Sequence, residues 1–138
     1  MMSNKDVQRH IPKAMDAIEK VGIAKGNRIE KVHEGYINSL GANIIQSGLL
    51  PTLIFYNKEK RELWLKALYY MWCESEPQDL SNPTAIIREI IGKKGGKLSE
   101  IKLNPSDERK ILEYAVALKL AARTFVFVEP DKSKEGGE

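Results

Sequence analysis

The stretch Ser39 to Asn57, SLGANIIQSGLLPTLIFYN, constrains this chain most: it is the least polar part of the sequence and carries two backbone signals close together. Gly48 follows Gln46 and Ser47 and can take the left-handed conformation that closes a helix without a Cβ clash. Pro51 suits the first turn of a new helix, where its missing N–H has no partner to lose and its φ is already helical. One helix is predicted to end near Ser47 and another to start at about Leu50. Almost every position from Leu49 to Tyr56 is apolar, so the second helix has no obvious water-facing stripe and is expected to be the buried centre of the core.

The other elements are read around that hairpin. Val7, Ile11, Met15 and Ile18, with Ala14, follow helical spacing from about Asp6 to Val21, with a bend expected at Pro12. Gly22 and Gly26 bracket a turn, and Asn27 with Glu30 three residues later has the form of a cap with a reciprocal acid. From there Ile29, Val32, Tyr36, Ile37, Leu40 and Ile44 fall on one face of a helix running to Ser47. Asn57 is placed to cap a helix with Trp64, Ala67, Leu68, Met71 and Trp72 inward, after which Glu76 to Ser81 reads as a loop. Asn82 and Pro83 open a short helix to about Ile91. Asn104, Pro105, Asp107 and Glu108 open a long one, apolar at Ile111, Ala115, Leu118, Ala122 and Phe125. Thr124 to Val128, TFVFV, has the composition of a strand, but helical phase holds through Phe125 and no turn signal intervenes, so it is assigned to the helix's last turns. The expectation is an all-α fold: one helical bundle of about six helices over residues 1–130, with no sheet, and a disordered polar tail at 131–138.

Composition narrows the function. The chain has 138 residues, enough for one domain that buries roughly two-thirds of its unfolded surface. Cys73 is the only cysteine, so there is no intrachain disulfide and no cysteine zinc site, which fits a reducing cytoplasm. No apolar run approaches the roughly 20 residues of a membrane span. The two histidines, His10 and His33, fall on different predicted helices with no metal-binding spacing, and read as surface or packing residues. Cys73 reads as a quiet buried thiol, and the acids are scattered among bases as solvated helix faces. No catalytic residue, metal ligand or cofactor is expected, and the chain is read as a non-enzyme.

A net charge of +3 permits a nucleic-acid partner without requiring one, so the weight falls on where the charges cluster. One cluster is Lys58, Lys60, Arg61 and Lys66. The other is Lys93, Lys94 and Lys97 in the glycine-rich GKKGGK loop, Gly92 to Lys97. Both are candidate nucleic-acid contacts, to phosphates and hence salt-dependent and blind to sequence. The first reads equally as the solvated face of a helix, and the second reads more simply as a plain basic loop. Trp64 and Trp72 sit on the apolar stripe and read as core rather than stacking platforms. IIGKKGGKLSEI, Ile90 to Ile101, also resembles the KH signature, in which a GxxG loop between two helices clamps a nucleic-acid backbone. A KH-like RNA-binding module is therefore one alternative, although helical patterns stand where its strands would be, and a helical scaffold without nucleic acid is another.

The block around the hairpin resembles a known family. Gln46, Ser47, Gly48, Leu49, Leu53 and Phe55, in a run preceded by an amphipathic helix and followed by a charged one with Trp72, are similar to the small helical subunit of the Cmr complex, the type III-B CRISPR effector. The likeness is good from Asn27 to Trp72, loose from Pro105 onward, and absent between Gln78 and Asn104. It implies a noncatalytic role in antiviral defence. The partners it implies are the other Cmr effector subunits, guide RNA and target RNA, and copies of the chain itself in a stack, with no membrane.

Overall fold

Proline and glycine set most of the element boundaries in the computed structural model of the chain, which describes residues 4–91 and 105–130. The expected N-terminal helix is two helices, α1 (Asn4–Gln8) and α2 (Ile11–Lys20), and Pro12 sits in the first turn of α2, where no backbone bond is lost to it. α3 (Val32–Ser47) and α4 (Leu49–Phe55) meet at Gly48, which closes one and opens the other. Its φ of 95° and ψ of 158° lie beyond the left-handed helical well, in a region essentially restricted to glycine. α5 (Glu62–Trp72) starts later than a cap at Asn57 would have it, with Arg61 at the N-cap position. α6 (Ala85–Ile91) is introduced as expected by Asn82, whose Oδ1 accepts from the Thr84 N–H at 3.0 Å and the Thr84 hydroxyl at 2.8 Å. α7 (Pro105–Ala122) begins on its proline with Asp107 and Glu108 against the helix dipole. The GKKGGK loop and the 131–138 tail lie outside the described residues.

The expectation of no sheet is overturned. A three-stranded sheet of order β1 (Ala24–Lys25), β2 (Arg28–Glu30), β3 (Val126–Val128) is present, β1 antiparallel and β3 parallel to β2. Ala24 pairs with Ile29 and Lys25 with Arg28, leaving Gly26 and Asn27 as a two-residue connection with glycine first at φ 65°. Asn27 thus serves a hairpin rather than a helix cap, and α3 starts five residues further on. At the other end α7 stops at Ala122, the Thr124 hydroxyl turning back to the Ala121 carbonyl at 2.7 Å, and the β-branched and aromatic run leaves as a strand. Val126 N–H donates to the Asn27 carbonyl at 2.7 Å and Lys31 N–H to the Val128 carbonyl at 2.8 Å, backbone partners that a longer α7 would not have.

The core lies where α2, α3 and α5 pack on α7. Alanines at 14, 17, 117 and 121 are fully buried, and their small side chains let α2 and α7 approach closely. Ile18, Leu40, Trp64, Leu65, Leu68, Ile111 and Leu118 fill the space, each contributing about 1.5–3 kcal/mol of transfer free energy. Lys13 Nζ donates to the Met71 and Cys73 carbonyls, and the Tyr70 hydroxyl donates to the Asp16 carboxylate, so three hydrogen bonds also join α2 to α5 and its C-cap residue.

Several inward assignments are corrected. α4 buries Leu49, Thr52 and Leu53 but leaves Ile54 56% and Phe55 59% exposed. A helix of seven residues packed on α3 and α6 has neighbours on one side, so it lies at the rim of the core and not at its centre. Met15 and Val32 are exposed, and Trp72 and Cys73 are half-buried. The KH alternative loses its scaffold: α6 packs on α5 and α4, whereas the sheet packs on α2 and α3.

Candidate nucleic-acid interface

The connection between α4 and α5 is built by its own backbone. Lys58 N–H donates to the Tyr56 carbonyl at 2.8 Å, Arg61 N–H to Glu59 at 2.6 Å, and Glu62 N–H to Lys58 at 2.8 Å. Lys60 takes φ 62°, the left-handed conformation that few residues other than glycine adopt. This tight turn projects three of the four cations in the first predicted cluster.

The structure treats those cations differently. Lys58 is exposed at the start of the turn. Lys60 Nζ reaches Glu30 Oε1 on β2 at 2.9 Å, and that hydrogen bond, ahead of the charge itself, holds the Glu30 carboxyl below its ordinary range. Arg61 is half-buried, its guanidinium 4.4 Å from the Phe55 ring centroid and 6.0 Å from that of Tyr36. Lys66 stands apart, about 140° round α5 from Arg61. It lies near Asp79, whose carboxyl is lowered first by its hydrogen bonds with Ser81 and, as the smallest contribution, by Lys66. Lys58, Lys60 and Arg61 therefore share one surface and Lys66 does not. Lys93, Lys94 and Lys97 lie outside the described residues.

Beside the turn is a feature that the sequence reading missed. A cleft of about 410 Å³ is lined by Asn43 and Ser47 of α3 and by Pro51, Thr52 and Phe55 of α4. Asn43 and Ser47 are one helical turn apart, and so are Pro51 and Phe55. The Tyr56 hydroxyl beneath donates to the Tyr36 carbonyl at 2.6 Å. Burial pushes that hydroxyl above its ordinary pKa, and a side-chain hydrogen bond with Asn43 partly offsets the shift. Thr52 is 2% exposed, and its Oγ1 has no hydrogen-bond partner among the described residues.

Neither histidine joins this surface. His33 is buried against Trp64, and His10 packs edge-on to Tyr114 with its Nε2 3.4 Å from Glu113 Oε1. No group of three or more metal-ligating side chains occurs among the described residues.

Fold and surface together define a small helical domain, edged by a short mixed sheet, that presents a basic turn next to an aromatic cleft. Comparison with known families makes the assignment specific: the chain belongs to the family described as CRISPR-associated protein (Cas_Cmr5), whose model matches residues 7–125. The resemblance to the small subunit of the type III-B Cmr complex is thereby borne out. No curated protein and no solved structure matches the chain. Among the described residues, no helix is long and apolar enough to cross a membrane.

Proposed function

We propose that this chain is a noncatalytic, cytoplasmic subunit of a Cmr-type RNA-guided effector, where it supports assembly, stacks with copies of itself and holds the backbone of guide or target RNA. The observation that carries the reading is the family match across residues 7–125. The exposed turn at Lys58 to Arg61 supports a place for the contact, because ammonium and guanidinium groups on a tight turn can approach phosphates without reading bases. In such an assembly base pairing reads the sequence and the protein supplies positive surface.

Target-RNA affinity of the assembled, guide-loaded complex tests this reading across a salt series. The double variant Lys58→Gln, Arg61→Gln removes two cations, and at about 0.7–0.9 per phosphate contact it flattens the slope of log affinity against log salt by about 1.5. An unchanged slope and affinity removes this turn from the RNA contact. The triple variant Lys93→Gln, Lys94→Gln, Lys97→Gln puts the glycine-rich loop to the same measurement.

A further inference from the structure

The cleft between α3 and α4 has a chemistry of its own, distinct from a phosphate contact. At about 410 Å³ it falls in the lower part of the range of small-molecule sites, roughly 300–1,000 Å³. One wall is aromatic: Phe55 lines it while remaining 59% exposed, with the Arg61 guanidinium stacked 4.4 Å from the ring centroid. A phenylalanine left this exposed recovers only part of the transfer free energy that full burial would give it. Pro51 continues the apolar lining, and Asn43 and Ser47 add an amide and a hydroxyl.

These properties discriminate between occupants. An aliphatic side chain from a neighbouring protein would fill the space but would offer no partner to the Asn43 amide or the Ser47 hydroxyl. A nucleobase offers a flat face to Phe55 and an edge of donors and acceptors to Asn43 and Ser47. Its own backbone phosphate would fall toward Arg61 and Lys58, the cations that border the cleft. No acidic side chain lines the cleft to repel it.

We infer that the cleft formed by Asn43, Ser47, Pro51, Thr52 and Phe55 receives one unpaired nucleobase of the RNA strand whose phosphates lie on the Lys58–Arg61 turn. This inference rests on the RNA-holding reading above and adds a base contact to it. The contact is made by stacking, so it tolerates any base and requires only that one be present.

The test uses the assembled, guide-loaded complex and a set of target RNAs, each carrying a single abasic ribose at a different position. At one position or a regular subset, abasic substitution weakens binding to the wild-type complex by about tenfold more than it weakens binding to the complex carrying Phe55→Ala. At every other position the two complexes lose affinity equally, since only pairing with the guide is lost there, and Phe55→Trp behaves as the wild type does. Phe55 is exposed, so truncation leaves the core intact. Equal loss in the wild-type and Phe55→Ala complexes at every abasic position overturns the base pocket. If the Lys58→Gln, Arg61→Gln variant still flattens the salt slope, the RNA-holding reading survives that failure. Loss of the Phe55→Ala subunit from the complex, with the isolated subunit folded normally, also overturns the pocket and assigns the cleft to a protein neighbour.

Discussion

The indole Nε1–H of Trp64 donates to Nδ1 of His33 at 3.0 Å, with Trp64 fully buried and His33 4% exposed. An indole nitrogen can only donate, so Nδ1 of His33 carries no proton and the neutral ring bears its hydrogen on Nε2. The bond joins the first turn of α3 to the first turn of α5, the two helices that flank the α4 hairpin. It thereby holds the base of the surface on which Phe55 and Arg61 lie.

Protonation of His33 would leave two donors facing each other in the core, so this contact makes stability depend on pH. Burial is the main cause that lowers the pKa of His33 below its ordinary 6.5, with Lys60 adding a little and Glu30 opposing. The group is depressed in the folded state, so its contribution is complete above pH 6.5 and is lost as pH falls from there through the folded value. Urea midpoints measured between pH 7.5 and 5 should fall more steeply for the wild type than for His33→Asn, whose side chain supplies a non-titrating acceptor near the Nδ1 position. Parallel pH profiles for the two proteins would refute this.

Two glycine substitutions should have opposite signs. At Gly48 an added Cβ meets only Pro51 atoms at ordinary contact distance, 3.6 Å and beyond, so Gly48→Ala suffers from its backbone conformation and not from a clash. Residues held in that region cost about 1–3 kcal/mol, and the thermal midpoint should drop by several degrees. Gly35 lies within α3, is exposed, and would place its Cβ in open space. Gly35→Ala should therefore stabilise by about 0.5–1 kcal/mol. Calorimetry of the two variants side by side reads both effects.

β3 is held chiefly through its backbone, since Val126 is 51% exposed but donates its N–H to Asn27. Val126→Pro deletes that donor and should cost about 1–3 kcal/mol, while Val126→Thr, which keeps it, should stay within about 0.5 kcal/mol of wild type. Hydrogen exchange at Lys31, whose N–H bonds to the Val128 carbonyl, should accelerate in the proline variant alone.

Where the sequence was legible, one residue type had one physical meaning. Gly48 with Pro51, and Pro105 with the acids after it, marked helix ends by conformations that few other residues supply. The sheet was illegible for the opposite reason. Asn27 followed by Glu30 satisfies a capping pattern and Gly26–Asn27 satisfies a hairpin turn, while strands of two or three residues are too short to show alternation. β3 becomes a strand only because β2, far away in the chain, offers it an edge. The cleft was hidden by the apolar run itself. Leu49 and Leu53 face inward, and helical phase then turns Pro51 and Phe55 outward, a consequence that the run of apolar letters conceals. The charge cluster was legible as far as Lys58, Lys60 and Arg61, but Lys66 lies round the helix from them.

The central claim is that this chain works inside an RNA-guided effector. Purifying the tagged protein from its native host at gentle salt, and identifying everything that accompanies it, tests that most directly. The expected result is a set of larger subunits together with short RNAs that share a common repeat-derived end. Recovery of the chain alone, or with heterogeneous cellular RNA and no larger subunits, would contradict it.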